Sequence, residues 1–426
     1  MGLALVALVG CVSYTPQPLP ETAHAPAPAH LALDMEKVAH LAVANNPKLQ
    51  VARDAAGIAR AQAFAAGLLP DPQLGLTYDQ PTNGGPGNTT GFTAGLSADV
   101  AALVTRQAAT AAAEAHERQV NLDLMWQEWQ VASRARLLFV RSLEERRLLS
   151  ILRENRALFA ERYARTQRAL DQGNTTLDAA SADLAALQTV ERQINELERR
   201  RNRNRLDLNV LLGLAPATQL ELVGGAPIRL LDAAQVRREL ARFAQRRPDL
   251  LALRAGYESQ DQRFRQAVLA QFPSLNVGIA RARDTSGLYT AGLGVTLSLP
   301  VFNRNRGNIA IERATRQRLY DEYRQRLDAA ETEVRGLLDD QALLERQLRG
   351  VRGSLAELER TVAGADAAYR DGNLSEPAYA RLQAAMLAKR IEAVTLEQNI
   401  LEQRVALQTL LGTELPTTVR PEESNG

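Results

Sequence analysis

Two stretches of this chain share one frame, and any fold must accommodate both. Gly173-Asn174-Thr175-Thr176 opens a polar–apolar helical pattern that closes on Leu211-Leu212-Gly213. Gly372-Asn373-Leu374-Ser375 opens a second that closes on Leu410-Leu411-Gly412. From Gly173 to Gly213 and from Gly372 to Gly412 the distance is the same 40 residues. Earlier marks keep register too: Pro47 precedes Pro72 by 25 residues, and Pro248 precedes Pro273 by 25. Offsets of 201 and 199 between corresponding marks indicate an internal tandem duplication, one unit used twice.

Within each copy the hydrophobic period changes in the same order. Residues 33–69 carry a helical stripe (Val38, Leu41, Ala42, Leu49), with Pro47 as a kink or restart and Pro70 and Pro72 as the stop. Alternation follows. Leu74, Leu76 and Tyr78, then Phe92, Ala94 and Leu96, are spaced by Gly, Thr, Asp and Ser, which predicts a hairpin over about 73–99. Leu275, Val277 and Ile279, then Leu293, Val295, Leu297 and Leu299, predict another over about 274–299. Apolar residues facing one way and small or polar residues the other suit a strand between lipid and water. A half-buried sheet in a soluble domain shows the same alternation. Four strands cannot close a barrel in lipid, so a membrane reading requires several chains.

The helical period then runs long. Residues 103–170 hold neither proline nor glycine, which predicts a rod of roughly 100 Å at about 1.5 Å per residue. Its counterpart, about 306–370, is weakened by Gly336, Gly350, Gly353 and Gly364. Return helices are expected over about 175–212 and 375–411. In the first, Leu184, Leu187, Val190, Ile194 and Leu197 make a near-heptad seam; the matching Gln383, Met386, Lys389, Ala393 and Leu396 make a poorer one. The repeats thus cover 33–213 and 233–412. A crossing segment at 214–232 lies between them, with a short strand around 219–223, and a tail follows at 413–426.

The single cysteine, Cys11, ends the apolar run in the order Leu8-Val9-Gly10-Cys11, which resembles a bacterial lipobox. That reading makes 1–10 a signal peptide, Cys11 the lipidated residue and the Pro-rich 11–32 a tether. Val12 after the cysteine implies outer-membrane sorting. One feature departs from the pattern: no Lys or Arg precedes the apolar run. The net charge of +2, with arginines interleaved among carboxylates, argues against nucleic-acid binding. Four scattered histidines and no HxxH or CxxC argue against a metal-ligand cluster, and no cofactor is implied. No GxSxG, P-loop, GxGxxG or HExxH occurs, so the chain does not read as an enzyme.

Helix, hairpin, long helix, glycine turn and return helix, twice over behind a lipobox, resemble the TolC-like outer-membrane efflux protein family. The marks are Asn46-Pro47-Lys48-Leu49, residues 68–74, Gln172-Gly173-Asn174-Thr175, Leu211-Leu212-Gly213-Leu214 and their second-copy partners. The resemblance implies an α+β membrane protein: a homotrimer whose chains each give four strands to a 12-stranded outer-membrane β-barrel. That barrel would continue into a long periplasmic α-helical barrel. It implies a bacterial outer-membrane location with a lipid anchor, a periplasmic adaptor (membrane fusion protein) and an inner-membrane RND-type pump. Gly173, Asn174, Gly372 and Asn373 would form the adaptor-docking tips. Family members often place acidic side chains in the pore just after the second tip. The positions six and nine after Gly372 are Ala378 and Arg381, so Asp371, Glu376 and Arg381 are the candidate constriction residues. Residues 299–310 resemble the heavy-metal, CzcC-like branch, which implies metal-cation export. Drug or dye efflux stays open beside it, as does a coiled-coil periplasmic adaptor.

Overall fold

The computed structural model describes residues 14–22, 31–82, 85, 87–228 and 233–413. The expected signal peptide (1–10), Cys11 and residues 414–426 of the tail lie outside them, as do parts of the tether and of the crossing segment. The first half runs β1 (Leu31–Leu33), α1 (Met35–Asn45), α2 (Pro47–Gly67), β2 (Gln73–Asp79), β3 (Gly91–Asp99), α3 (Ala101–Asp171) and α4 (Leu177–Leu211). After β4 (Leu220–Leu222), the second half runs α5 (Ala233–Arg246), α6 (Pro248–Leu269), β5 (Leu275–Arg283), β6 (Tyr289–Leu297), α7 (Arg306–Arg370) and α8 (Glu376–Leu411).

Local chemistry explains the breaks. Asn46 ends α1, and its side chain accepts from the backbone N–H groups of Lys48 and Leu49 at 3.0 and 3.2 Å. With Pro47 as the first helical residue, this starts α2 on a new axis. The Asn46 amide also donates to the Leu211 carbonyl at 2.9 Å, tying this joint to the end of α4. In the second half Arg247 holds the equivalent place and makes no cap. Its guanidinium instead grips Asp249 through two bonds of 2.8 Å. It also lies 4.9 Å from the Trp126 ring of α3.

All four long helices end alike. After α4, Leu214 N–H donates to the Asn209 carbonyl and Gly213 N–H to that of Val210; after α8, Thr413 and Gly412 donate to Gln408 and Thr409. Gly213 (φ +66°) and Gly412 (φ +67°) are held by space as well as by backbone angle. A Cβ at Gly213 would meet the Asn45 carbonyl oxygen at 2.5 Å, and one at Gly412 the Trp129 ring at 2.6 Å. Each Leu-Leu-Gly mark is therefore a closely packed joint.

The 71-residue α3 and the 65-residue α7 span two stacked helical layers. Near the sheet they pack with α2 and α6, and farther away with α4 and α8. The main core sits where the layers meet. Val38 and Ala42 of α1, Trp129, Leu138 and Phe139 of α3, Leu208 of α4 and Leu212 just after it enclose it. No helix among the described residues is long and apolar enough to cross a membrane.

Two expectations need correction. Residues 31–33 are a strand rather than tether and helix; β1 pairs in parallel with β4, Leu33 against Leu222. Helix α7 spans the expected 306–370 and runs unbroken through Gly336, Gly350, Gly353 and Gly364, where an added Cβ would meet nothing. Packing against neighbours overrides their poor propensity. In α8 the expected seam is split: Leu387 and Val394, each one residue from a seam position, join the α3–α4 core, while the seam's own Ala393 and Leu396 face α7 together with Ile400. That helix serves two partners, so no single stripe describes it.

Candidate functional site

Two regions at opposite ends of the long helices carry chemistry. The first is the four-stranded antiparallel sheet, ordered β2-β3-β5-β6. Its register stacks like with like. Leu74, Leu96, Ile279 and Leu293 form one cross-strand row, and Ala98, Val277 and Val295 the next. These apolar side chains share one face, with nothing over it: Leu74 is 68% exposed, Leu293 79% and Val295 66%. The opposite face is small and polar. Gly75, Thr77, Thr93, Gly95, Gly278 and Thr296 line a shallow concavity there. Both outer strands, β2 and β6, pair on one side only, leaving open edges.

The second region is the pair of helical tips. At the first, Asn174 N–H donates to the Ala169 carbonyl at 2.8 Å and Gly173 N–H to that of Leu170 at 2.9 Å. Asn373 and Gly372 repeat this on Ala368 and Tyr369 at 2.8 and 3.1 Å. Gly173 (φ +75°) and Gly372 (φ +76°) have open space around them, so here only the backbone angle asks for glycine. All four tip residues are exposed. Thr176 then caps α4 by accepting from Ala179 N–H at 3.3 Å.

Of the three candidate constriction residues, one joins a network. Asp371 and Arg381 are exposed, while Glu376 is half-buried with its carboxylate 3.6 Å from the Arg162 guanidinium. Arg162 is the centre that sequence reading missed. It is only 4% exposed and donates to Asp183 (3% exposed) at 2.7 Å and to Gln383 at 2.9 Å. The second Asp183 oxygen accepts from the Thr166 hydroxyl at 2.7 Å. A signal did exist: Arg162 stands 11 residues before Gly173 and Asp183 10 after it, so antiparallel helices bring the two face to face.

Tyr379 closes the network. It stacks on Tyr369 at 5.0 Å between centroids, lies 5.7 Å from the Arg162 guanidinium, and donates to Asp366 at 2.8 Å. The Arg370 guanidinium and the Tyr379 hydroxyl hold the Asp366 carboxyl below its usual range. Burial and the Asp366 charge push the Tyr379 phenol up. The hydrogen bond that joins the two groups contributes to both shifts. The result links the first hairpin tip to the second through one buried cation. Among the described residues no group of three or more His, Cys, Asp or Glu is placed to hold a metal ion.

An unclosed apolar sheet at one end and paired helical tips at the other define the fold. Residues 240–413 match the family model for outer membrane efflux proteins. Over that stretch the chain is similar to the outer membrane efflux protein family. The chain is 24% identical over 241 residues to the probable outer membrane lipoprotein SilC of Salmonella typhimurium, a match covering 53% of this chain and 51% of SilC. It is 27% identical over 176 residues to the cation efflux system protein CusC of Escherichia coli O157:H7, covering 39% of this chain and 38% of CusC. The sequence matches thus span about half or less of these relatives. In fold the likeness is nearly complete. A crystal structure of CusC superposes with a TM-score of 0.75 at 20% identity, covering 95% of this chain and 99% of that one.

Proposed function

We propose that three copies of this chain form an outer-membrane duct that passes cations from periplasm to exterior. The sheet carries this reading. One face is apolar and uncovered, the other small and polar, and both edges are open. In lipid an open edge is untenable, because unpaired backbone groups there cost several kcal/mol each, on the order of 4 or more. Three sheets joined edge to edge give a closed 12-stranded barrel with the small, polar face inside. Arg281 and Arg283, on the apolar face near the hairpin turns, fit the same placement. An arginine facing lipid costs about 2–4 kcal/mol at mid-bilayer and about 0–1 near the interface.

The helices then extend away from the membrane as a tunnel of roughly 100 Å. The like order of elements in the two halves supports a duplicated unit, 33–213 and 233–412. Each chain would present two tips, at Gly173-Asn174 and Gly372-Asn373, and a trimer six, to an adaptor that joins the duct to an RND-type pump. Asp371, Glu376 and Arg381 surround the narrow end as candidate constriction residues. Cys11 would carry the lipid anchor. No reaction is assigned: the duct works by conduction, and its cargo is a passing substrate.

Metal cations are favoured as cargo because CusC is named a cation efflux system protein. Deleting the gene is expected to lower tolerance to zinc, cobalt, cadmium or copper. The native gene would restore it, and a copy with Asn174→Arg and Asn373→Arg that still reaches the outer membrane would not. Unchanged metal tolerance with new sensitivity to dyes would overturn the cation reading in favour of drug efflux.

A further inference from the structure

At the hairpin-turn end of the sheet two arginines converge where no acid awaits them. Arg281 and Arg283 lie two residues apart on β5, on the same face as Leu275, Val277 and Ile279, about 7 Å from each other along the strand. Across the strands Arg281 is flanked by Ala94 and Ala291, and Arg283 by Phe92 and Tyr289. Both guanidiniums approach one ring, at 5.9 and 5.7 Å from the Tyr289 centroid. Phe92 meets the same ring edge-on at 6.4 Å, and Tyr78 completes the row beside Phe92.

Two like charges drawn to one ring repel unless an anion joins them. Among the described residues neither arginine forms an ion pair. Arg283 donates from Nη2 to the Thr89 hydroxyl at 2.9 Å, while its Nε is shielded from solvent and has no acceptor. The nearby carboxylates are committed or turned away. Asp284 accepts from the Ser286 and Leu288 backbone N–H groups, both at 2.9 Å, inside its own turn. Asp79 alternates onto the opposite face, paired with Gly91.

We propose that Arg281 and Arg283 bind the phosphate of an anionic lipid headgroup in the outward-facing leaflet, with Tyr78, Phe92 and Tyr289 framing it. This rests on the barrel reading above. The guanidinium fork matches phosphate geometry, and an aromatic row suits the boundary between headgroups and acyl chains. The source is lipid rather than free phosphate because the next rows on the same face are apolar. Acyl chains hanging from a phosphate held at Arg281 would lie along Ile279, Leu293 and Val277.

The test uses the full chain purified in detergent, offered phosphatidic acid or a diacylglycerol with the same acyl chains, and weighed by native mass spectrometry. The native protein is expected to keep phosphatidic acid and shed diacylglycerol. Arg281→Gln with Arg283→Gln should cut phosphatidic acid retention about tenfold or more, leaving trimer mass and conductance unchanged. Equal retention of the two lipids, or undiminished phosphatidic acid on the double variant, overturns the proposal while a conducting trimer leaves the duct intact. A native chain that neither trimerises nor conducts overturns the barrel reading and this inference with it.

Discussion

Asp249 shows how one carboxylate holds three helices. Burial alone would raise its pKa, but hydrogen bonds from Arg247 and Arg326 outweigh this and hold it below the usual range. Arg326 of α7 reaches it at 2.7 Å, and Arg247 is 1% exposed against Trp126 of α3. Because the folded pKa is depressed, the stabilisation is present above the unfolded carboxylate range and is lost as pH falls through the folded value. Asp249→Asn would leave a buried guanidinium without its counter-charge, a loss of about 3 kcal/mol at neutral pH. Denaturant unfolding at several pH values checks it: the gap to the native protein should be widest near neutrality and narrow in acid. Little of this was legible in sequence. Arg247-Pro248-Asp249 reads as a helix start, and only the fold shows that the cap position went to an ion pair reaching α7.

Among the elements, those with a strong period were the easiest to read. Alternating Leu and Gly, Thr or Ser placed both hairpins, and the glycine-free run placed α3. The failures share a cause: segments whose partners are distant in sequence. Strand β1 is three residues long and is defined by its pairing with β4, almost two hundred residues on. Helix α8 divides its apolar residues between two neighbours, so it lacks one seam. The tip network likewise needed α3, α4 and α8 brought together. It also makes Glu376 a clean position to probe, because Asp183 and Gln383 still hold Arg162 when Glu376 is removed. If a threefold ring of Glu376 and Arg381 narrows the pore, Glu376→Ala should lower cation preference and Arg381→Ala should raise it. Reversal potentials under a salt gradient read both, and unchanged conductance and selectivity in both variants would remove these residues from the constriction.

Taken whole, the molecule is a set of layered long helices carrying a four-stranded sheet with two open edges. Its two halves run through the same order of elements, each with one hairpin and one tip, and the apolar face and open edges are what the proposed trimeric barrel in lipid would cover. Sequence alone left a half-buried soluble sheet open as an alternative. The uncovered leucines and open edges weigh against it, since a soluble chain leaves few apolar faces of this extent bare. The most direct test of a trimeric outer-membrane duct is native mass and planar-bilayer conductance on protein extracted from outer membranes in detergent. Three chains, each with an acyl mass on Cys11, are expected to form one conducting pore. A soluble monomer that adds no conductance would contradict it.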